Sequence, residues 1–398
     1  MEVPGFKAAA VDAGIKYKDR LDLGVIYSRA SCTPAAVFTR NLVKAAPVLD
    51  SIGLLSRCEA FRAIVVNSGN ANACTGDRGL EDCKKIRKRA ADLLNCKEDE
   101  IFVASTGVIG AFLPMEKYLN GLESACNCLS GDGLLKVSEA ILTTDTRPKV
   151  AVREIDNKGS KIRLFGMAKG AGMIGPNMGP PQATMLAFVL TDAVVDREFW
   201  QKTLEEAVDS SFNRITVDGD TSTNDTVIGL ANGNARNQVI DGYGELSKAF
   251  SSALFEVLQS LAEQIVTDGE GATKCVRVVV KGAAMEEEAR LCAQTICNSP
   301  LVKTAFFGED PNWGRILAAA GRSGATFQQD EVDIRIGNVL VVEKGMAVGK
   351  EAEEQAAKQM KKHHFCVEIS LNAGKSDYSM LTCDLSTEYI HINADYRT

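Results

Sequence analysis

An α/β fold is predicted for this 398-residue chain by three observations. Short apolar runs of strand length alternate with stretches of helical periodicity on both sides of a glycine-rich segment. The valine-rich run Val276 to Val280 sits between charged segments, as a core strand does. A hydrophobic content of 45% over this length can bury a substantial core, and the length favours two domains over one. Composition also admits a doubly wound open sheet, but a dinucleotide fold would lack its G-x-G-x-x-G entry after a suitable strand and would leave Thr184 unexplained.

Taken in order, Phe61 to Val66 reads as a buried strand entering the polar loop NSGNANACTGDRG, with residues 80 to 95 as the following helix. Leu80, Cys83, Ile86, Ala90, Leu93 and Leu94 supply its apolar side, which leaves Lys84, Lys85, Arg87, Lys88 and Arg89 to a solvated face. Ile101 to Ala104 is a second strand, ending at Ser105-Thr106-Gly107. Met185 to Leu190 is a strand by its length, and Asp196 then caps a helix with Trp200, Leu204, Val208 and Phe212 on one side. Residues 252 to 267 and 285 to 297 have helical spacing. Val332, Ile334 and Ile336 alternate with polar residues before Gly337-Asn338, a two-residue hairpin turn.

The net charge of −7 favours solubility and gives no support to nucleic-acid or membrane partners. Twelve cysteines form no ligand spacing: Cys126 and Cys128 are two positions apart, Cys292 and Cys297 five, with no matching second pair. With three histidines, two of them adjacent at His363 and His364, no metal site is expected. Reduced core cysteines and a start without a signal peptide's apolar core point to the cytoplasm or an organelle matrix, and no apolar run reaches membrane-spanning length.

The glycine-rich stretch Gly166 to Asp192 places one hydroxyl, Thr184, at the head of an apolar run. Thr184 is either a nucleophile whose own α-amine takes its proton after chain cleavage, or the cap of a core element behind an ordinary turn. Arg214 to Thr226 crowds Asp218, Asp220 and Asp225 among threonines in an order that does not match a calcium loop. Asp268-Gly269-Glu270-Gly271 reads by itself as a helix end and a solvated turn, and Trp313 as a buried indole beside a hairpin.

The chain resembles the ArgJ ornithine acetyltransferases, also called glutamate N-acetyltransferases, over essentially its whole length. The motifs are PGFKAAAVDAGIK at the start, IVVNSGNANACTG at 64 to 76, ASTGVIG at 104 to 110, TTDT at 143 to 146 and GMAKGAGMI at 166 to 174. They continue with ATMLAFVLTDA at 183 to 193, SFNRITVDGDTSTNDT at 211 to 226, DGEGATK at 268 to 274, NSPLVKTAFFGEDPNWGRI at 298 to 316 and the terminal INADYRT. The resemblance implies stacked sheets flanked by helices, in the DmpA/ArgJ-like αββα arrangement, with a smaller C-terminal domain. It implies self-cleavage between Ala183 and Thr184, giving an α chain 1–183 and a β chain 184–398, whose part from about 280 to 398 is the smaller α/β domain.

By the same resemblance, Thr184 is the nucleophile that takes acetyl from N2-acetylornithine and passes it to L-glutamate. An α-amine with an ordinary pKa of about 8 is an adjacent proton acceptor, so the scarcity of histidine is no obstacle. Thr106 and Gly107 match the family's oxyanion-hole pair. Thr143, Lys169, Thr184, Glu270, Asn393 and Thr398 match its substrate-binding positions, and the cation of Lys169 with the anion of Glu270 suits a zwitterionic amino acid. No bound cofactor is implied. Some members also accept acetyl-CoA, which stays open as a second donor, and an α2β2 heterotetramer is the expected assembly. The alternative within enzymes is an N-terminal-nucleophile amidase or aminopeptidase that gives its acyl group to water. One departure stands beside the nucleophile: Gly179-Pro180-Pro181-Gln182 intervenes where the family commonly joins PNM to ATM, which lengthens the loop before the cut.

Overall fold

The computed structural model of the protein describes residues 2–157, 159–175, 178–179 and 185–394. The expected cleavage pair Ala183-Thr184, the inserted residues 180–182 and Thr398 lie outside the described residues. The chain divides into two compact units: Met1–Asn213 with Asp220–Ile265, and Arg214–Gly219 with Val266–Thr398.

The first unit contains β1 (Phe6–Val11), β2 (Leu23–Thr39), β3 (Phe61–Asn67), β4 (Ile101–Ser105), β5 (Lys149–Asn157), β6 (Ser160–Lys169), β7 (Met178–Gly179) and β8 (Leu186–Thr191). The two-residue β9 (Ile215–Thr216) belongs to the second unit, and β10 (Thr226–Ala231) returns to the first. Strand β2 is 17 residues long and serves two sheets in turn. Its first half, Leu23 to Tyr27, pairs antiparallel with β1 and β3, and β3 pairs parallel with β4. After the exposed Arg29-Ala30-Ser31, residues Thr33 to Phe38 pair antiparallel with β10, and the sheet continues through β8 and β6 to β5.

Side-chain alternation shows how the two sheets stack. Ile26, Ile64, Val66 and Phe102 from the first share one apolar cluster with Met167, Phe188, Leu190 and Ile228 from the second. The alternate residues Val25, Val65 and Val103 pack on the opposite face against Ile86 of the helix Gly76–Leu94 and Tyr118 of the helix Met115–Asn127. Both faces are covered, so these strands read as continuous apolar runs. The outer face of the second sheet takes the helices Arg197–Asp209 and Gly244–Thr267, which approach closely because glycines underlie them. A Cβ on Gly229 would stand 2.5 Å from Trp200 Cζ2, and one on Gly166 2.5 Å from Val257 Cγ1. The layers are helix, sheet, sheet, helix, as the resemblance implies.

The second unit holds a seven-stranded sheet in the order β14-β13-β12-β15-β11-β16-β9. Its further strands are β11 (Cys275–Ala283), β12 (Asp333–Ile336), β13 (Val339–Glu343), β14 (Met346–Ala347), β15 (His364–Ser370) and β16 (Ser376–Cys383). Val276, Val278 and Val280 meet Cys292 and Ile296 of the helix Glu286–Cys297 in its core. The β12–β13 connection is the expected hairpin, with Ile336 paired to Val339 and Gly337 at φ +60°.

Four local expectations change. Gly166 to Lys169 is strand, so Gly166 serves helix packing rather than a loop. Gly170-Ala171-Gly172-Met173-Ile174-Gly175 does carry the G-x-G-x-x-G spacing, directly after β6, but it leads to the strand β7 and not into a helix. Arg87 is not solvated: it is 4% exposed, with Nε 3.0 Å from Asp50 Oδ2 and another guanidinium nitrogen 3.0 Å from Asp99 Oδ1. Trp313 opens the helix Trp313–Gly321 behind the cap Asn312 and lines a half-open groove, where its indole N–H donates to Glu353 Oε1 at 2.9 Å.

Candidate active site

Four side chains converge where β6 ends beside the start of β8. Lys169, the last residue of β6, pairs in register with Leu186, the first of β8. Its Nζ donates to Thr143 Oγ1 at 2.9 Å and Thr106 Oγ1 at 3.4 Å, and lies 3.9 Å from Asp145 Oδ2. A hydroxyl can accept and donate together. With Lys169 donating to its oxygen, the Thr106 hydroxyl still has its own proton to donate.

Asp145 is the buried counter-ion of this group. Its side chain is wholly inaccessible and so is that of Lys149, whose Nζ sits 2.7 Å from Asp145 Oδ1. The Gly170 N–H donates to Oδ1 at 2.6 Å and the Thr143 N–H to Oδ2 at 3.1 Å. Burial opposes ionisation of this carboxyl, but Lys169, Lys149 and the Gly170 N–H outweigh it and hold its pKa at about 2. Asp145 therefore stays anionic and fixes both the cation of Lys169 and the backbone at Thr143.

The turn carrying Thr106 and Gly107 is held by its neighbours on β3. Thr106 N–H donates to Asn67 O at 3.0 Å, and Ser105 Oγ donates to Asn67 Oδ1 at 2.7 Å. Gly107 has φ +135°, and a Cβ there would stand 2.3 Å from Gly69 C and 2.4 Å from Asn70 N. No side chain fits at this position, because the Gly69-Asn70 backbone runs directly against it. Asn224, 6% exposed, reaches the same region from the segment before β10: its Nδ2 donates to Ala71 O at 2.6 Å and Ser105 O at 2.8 Å.

On β10 itself, Thr226 pairs with Leu186, and its N–H donates to Met185 O at 2.5 Å. Met185 is the covalent neighbour of Thr184, so the described chain carries Lys169, Thr106, Asn224 and Asp225 up to the residue next to the expected nucleophile. Asp225 is 2% exposed, and its Oδ2 has no hydrogen-bond partner among the described residues. Burial pushes its carboxyl pKa well above the usual range, with the charge of Lys169 and hydrogen bonds from Ser222 pulling the other way.

In the second unit, Asn393 Nδ2 donates to Glu270 Oε2 at 2.7 Å. Glu270 is 7% exposed and Asp268 is 8%, so the turn between them is buried rather than solvated. The sequence-predicted residues thus gather as Thr106, Gly107, Thr143 and Lys169 in one unit and as Glu270 with Asn393 in the other. Asp145, Asn67 and Asn224 were assigned no role from sequence. Asp145 and Asn224 stand inside the TTDT and TSTNDT motifs, which are the only signals that mark them. Among the described residues no group of three or more His, Cys, Asp or Glu side chains could hold a metal ion, and no helix is long and apolar enough to cross a membrane.

The sequence profile of the ArgJ family matches residues 7–398. Two proteins described as arginine biosynthesis bifunctional protein ArgJ, from Geobacter sulfurreducens and Desulfotalea psychrophila, are each 48% identical to this chain over 398 residues, across 100% of both partners. The crystal structure of arginine biosynthesis bifunctional protein argJ from Bacillus halodurans matches with a TM-score of 0.50 and 41% identity, covering 52% of this chain and 97% of that one.

Proposed function

The chain belongs to the ArgJ family, and from that premise we propose that it is a glutamate N-acetyltransferase that moves acetyl from N2-acetylornithine to L-glutamate through acetyl-Thr184. The observation that carries the reading is the Lys169–Thr106–Thr143 cluster beside the head of β8, the strand that Thr184 precedes. It combines a hydroxyl ready to donate with a cation in one buried place, which is what an acyl-transfer centre needs.

In this reading the precursor cuts itself between Ala183 and Thr184, giving chains 1–183 and 184–398 that assemble as α2β2. Thr184 Oγ attacks the acetyl carbonyl while the Thr184 α-amine takes its proton. Thr106 and Gly107 donate to the oxyanion. The C–N bond of acetylornithine then breaks, the proton passes to the departing ornithine nitrogen, and an acetyl ester remains on Thr184. Glutamate's amine attacks that ester, and the oxygen of Thr184 recovers a proton. Thr143, Lys169, Glu270, Asn393 and Thr398 bind the zwitterionic substrates. The relatives' description as bifunctional motivates acetyl-CoA as a second donor, taken as a substrate and not as a resident cofactor. None of the twelve cysteines is in a disulfide, which supports a cytoplasmic setting.

The test is to incubate the enzyme with N2-acetylornithine, with and without glutamate, beside Thr184→Ala. The parent should make acetylglutamate only when glutamate is present, and Thr184→Ala should make none and stay a single chain by denaturing mass spectrometry. Equal release of acetate with and without glutamate, and no acetylglutamate, would instead support the hydrolytic amidase alternative.

A further inference from the structure

We propose that Asn224 is a positioning residue for this reaction, holding the Thr106-Gly107 turn in register with the strand that leads out of Thr184. The inference rests on the acetyl-transfer reading above and extends it to a residue outside the oxyanion and substrate-binding sets.

The side-chain amide of Asn224 has two N–H donors, and both are spent on backbone carbonyls far away in the chain. One goes to Ala71 O at 2.6 Å, 153 residues distant, and the other to Ser105 O at 2.8 Å, 119 residues distant. Its own Oδ1 accepts from Thr223 Oγ1 at 2.6 Å. The carbonyl of Ser105 belongs to the same peptide plane as the N–H of Thr106, and that N–H donates to Asn67 O at 3.0 Å. The plane immediately before the oxyanion turn is therefore gripped from both sides. The second peptide is held in the same way: Ala71 O takes the Asn224 donor, and the Asn72 N–H beyond it donates to Asn70 Oδ1 at 2.8 Å. Asn70 is the residue whose backbone presses on Gly107.

Asparagine is the side chain this geometry requires. Aspartate would turn acceptor oxygens toward two acceptor carbonyls, and alanine would leave two buried carbonyls without donors. An oxyanion donor works over a narrow range of distance, so slackness of about 1 Å in the turn reduces rate more than affinity. Asn224 lies two residues before Thr226, whose N–H holds Met185 O. In the proposed cut form Asn224 sits on chain 184–398 and both of its acceptors on chain 1–183. It thus ties the oxyanion donors of one chain to the nucleophile-bearing strand of the other.

The experiment compares parent, Asn224→Ala and Asn224→Asp in transfer from N2-acetylornithine to glutamate, with rates referred to the cut fraction measured by denaturing mass spectrometry. Asn224→Asp keeps the side-chain volume, so it separates loss of the donor from loss of packing if the alanine variant folds poorly. Both variants should lose at least about 30-fold in kcat, with KM for each substrate within threefold of the parent, and self-cleavage should slow in the same direction. A kcat within threefold of the parent in both variants, or a loss confined to KM, overturns the inference. Parent-like rates in the Asn224 variants together with a dead Thr184→Ala would refute this inference alone. Transfer at the parent rate by Thr184→Ala would refute the reading beneath it.

Discussion

Asp225 sets a titration against the fold. The carboxyl is buried, one of its oxygens has no partner among the described residues, and burial raises its pKa well above the usual value. In the unfolded chain the group titrates near its ordinary value of about 3.9. Its contribution to stability is therefore fully present below that pH and is lost as pH rises through the folded-state pKa. Asn at 225 has no charge to bury. Asp225→Asn should match the parent in denaturant stability near pH 4 and exceed it by a margin that grows as pH rises, for as long as the native carboxyl stays protonated. A margin independent of pH would show that the carboxyl is ionised in the native state. At this scale sequence reading works through contiguous motifs, which mark Thr106-Gly107 and Lys169, residues that the structure brings to one place. It fails for Asn224, whose meaning lies in carbonyls 119 and 153 residues away that no local pattern encodes.

The helix Arg197–Asp209 is the element most completely specified by local chemistry. Asp196 accepts from the Phe199 N–H at 3.0 Å, as its place before the Trp200-Leu204-Val208 stripe predicts. Asp196→Ala should cost about 1 kcal/mol in denaturant unfolding and leave kcat unchanged, since the cap touches none of the site residues. A loss near zero would mean that tertiary packing alone orders that first turn. Strand β2 is the opposite case. Its polar, exposed middle at Arg29-Ala30-Ser31 interrupts any periodic signal, and the 17-residue strand emerges only because each half finds a different sheet. Gly166 shows the same dependence on partners, since a loop glycine and a glycine beneath Val257 look alike in sequence.

For the whole molecule, the interleaving of short strands and helices made the α/β class legible, and the helix-sheet-sheet-helix order came through the family resemblance. Periodicity could not supply that order, because strands covered on both faces do not reveal which face meets the other sheet. The strand order β2-β10-β8-β6 has a further consequence for the proposed cut at 183. Strands β2 and β6 precede that bond, while β8 and β10 follow it and stand side by side between them. Neither fragment carries a closed set of pairings, so the precursor must complete its sheet before the bond breaks. Once broken, the bond converts a unimolecular folding problem into a bimolecular one. Cut protein diluted from denaturant should regain activity with a yield and rate that rise with protein concentration. Uncut Thr184→Ala should regain native circular dichroism at a rate independent of it. Concentration-independent recovery of the cut form would mean that the fragments stay associated in denaturant or that unimolecular folding of one fragment limits the rate.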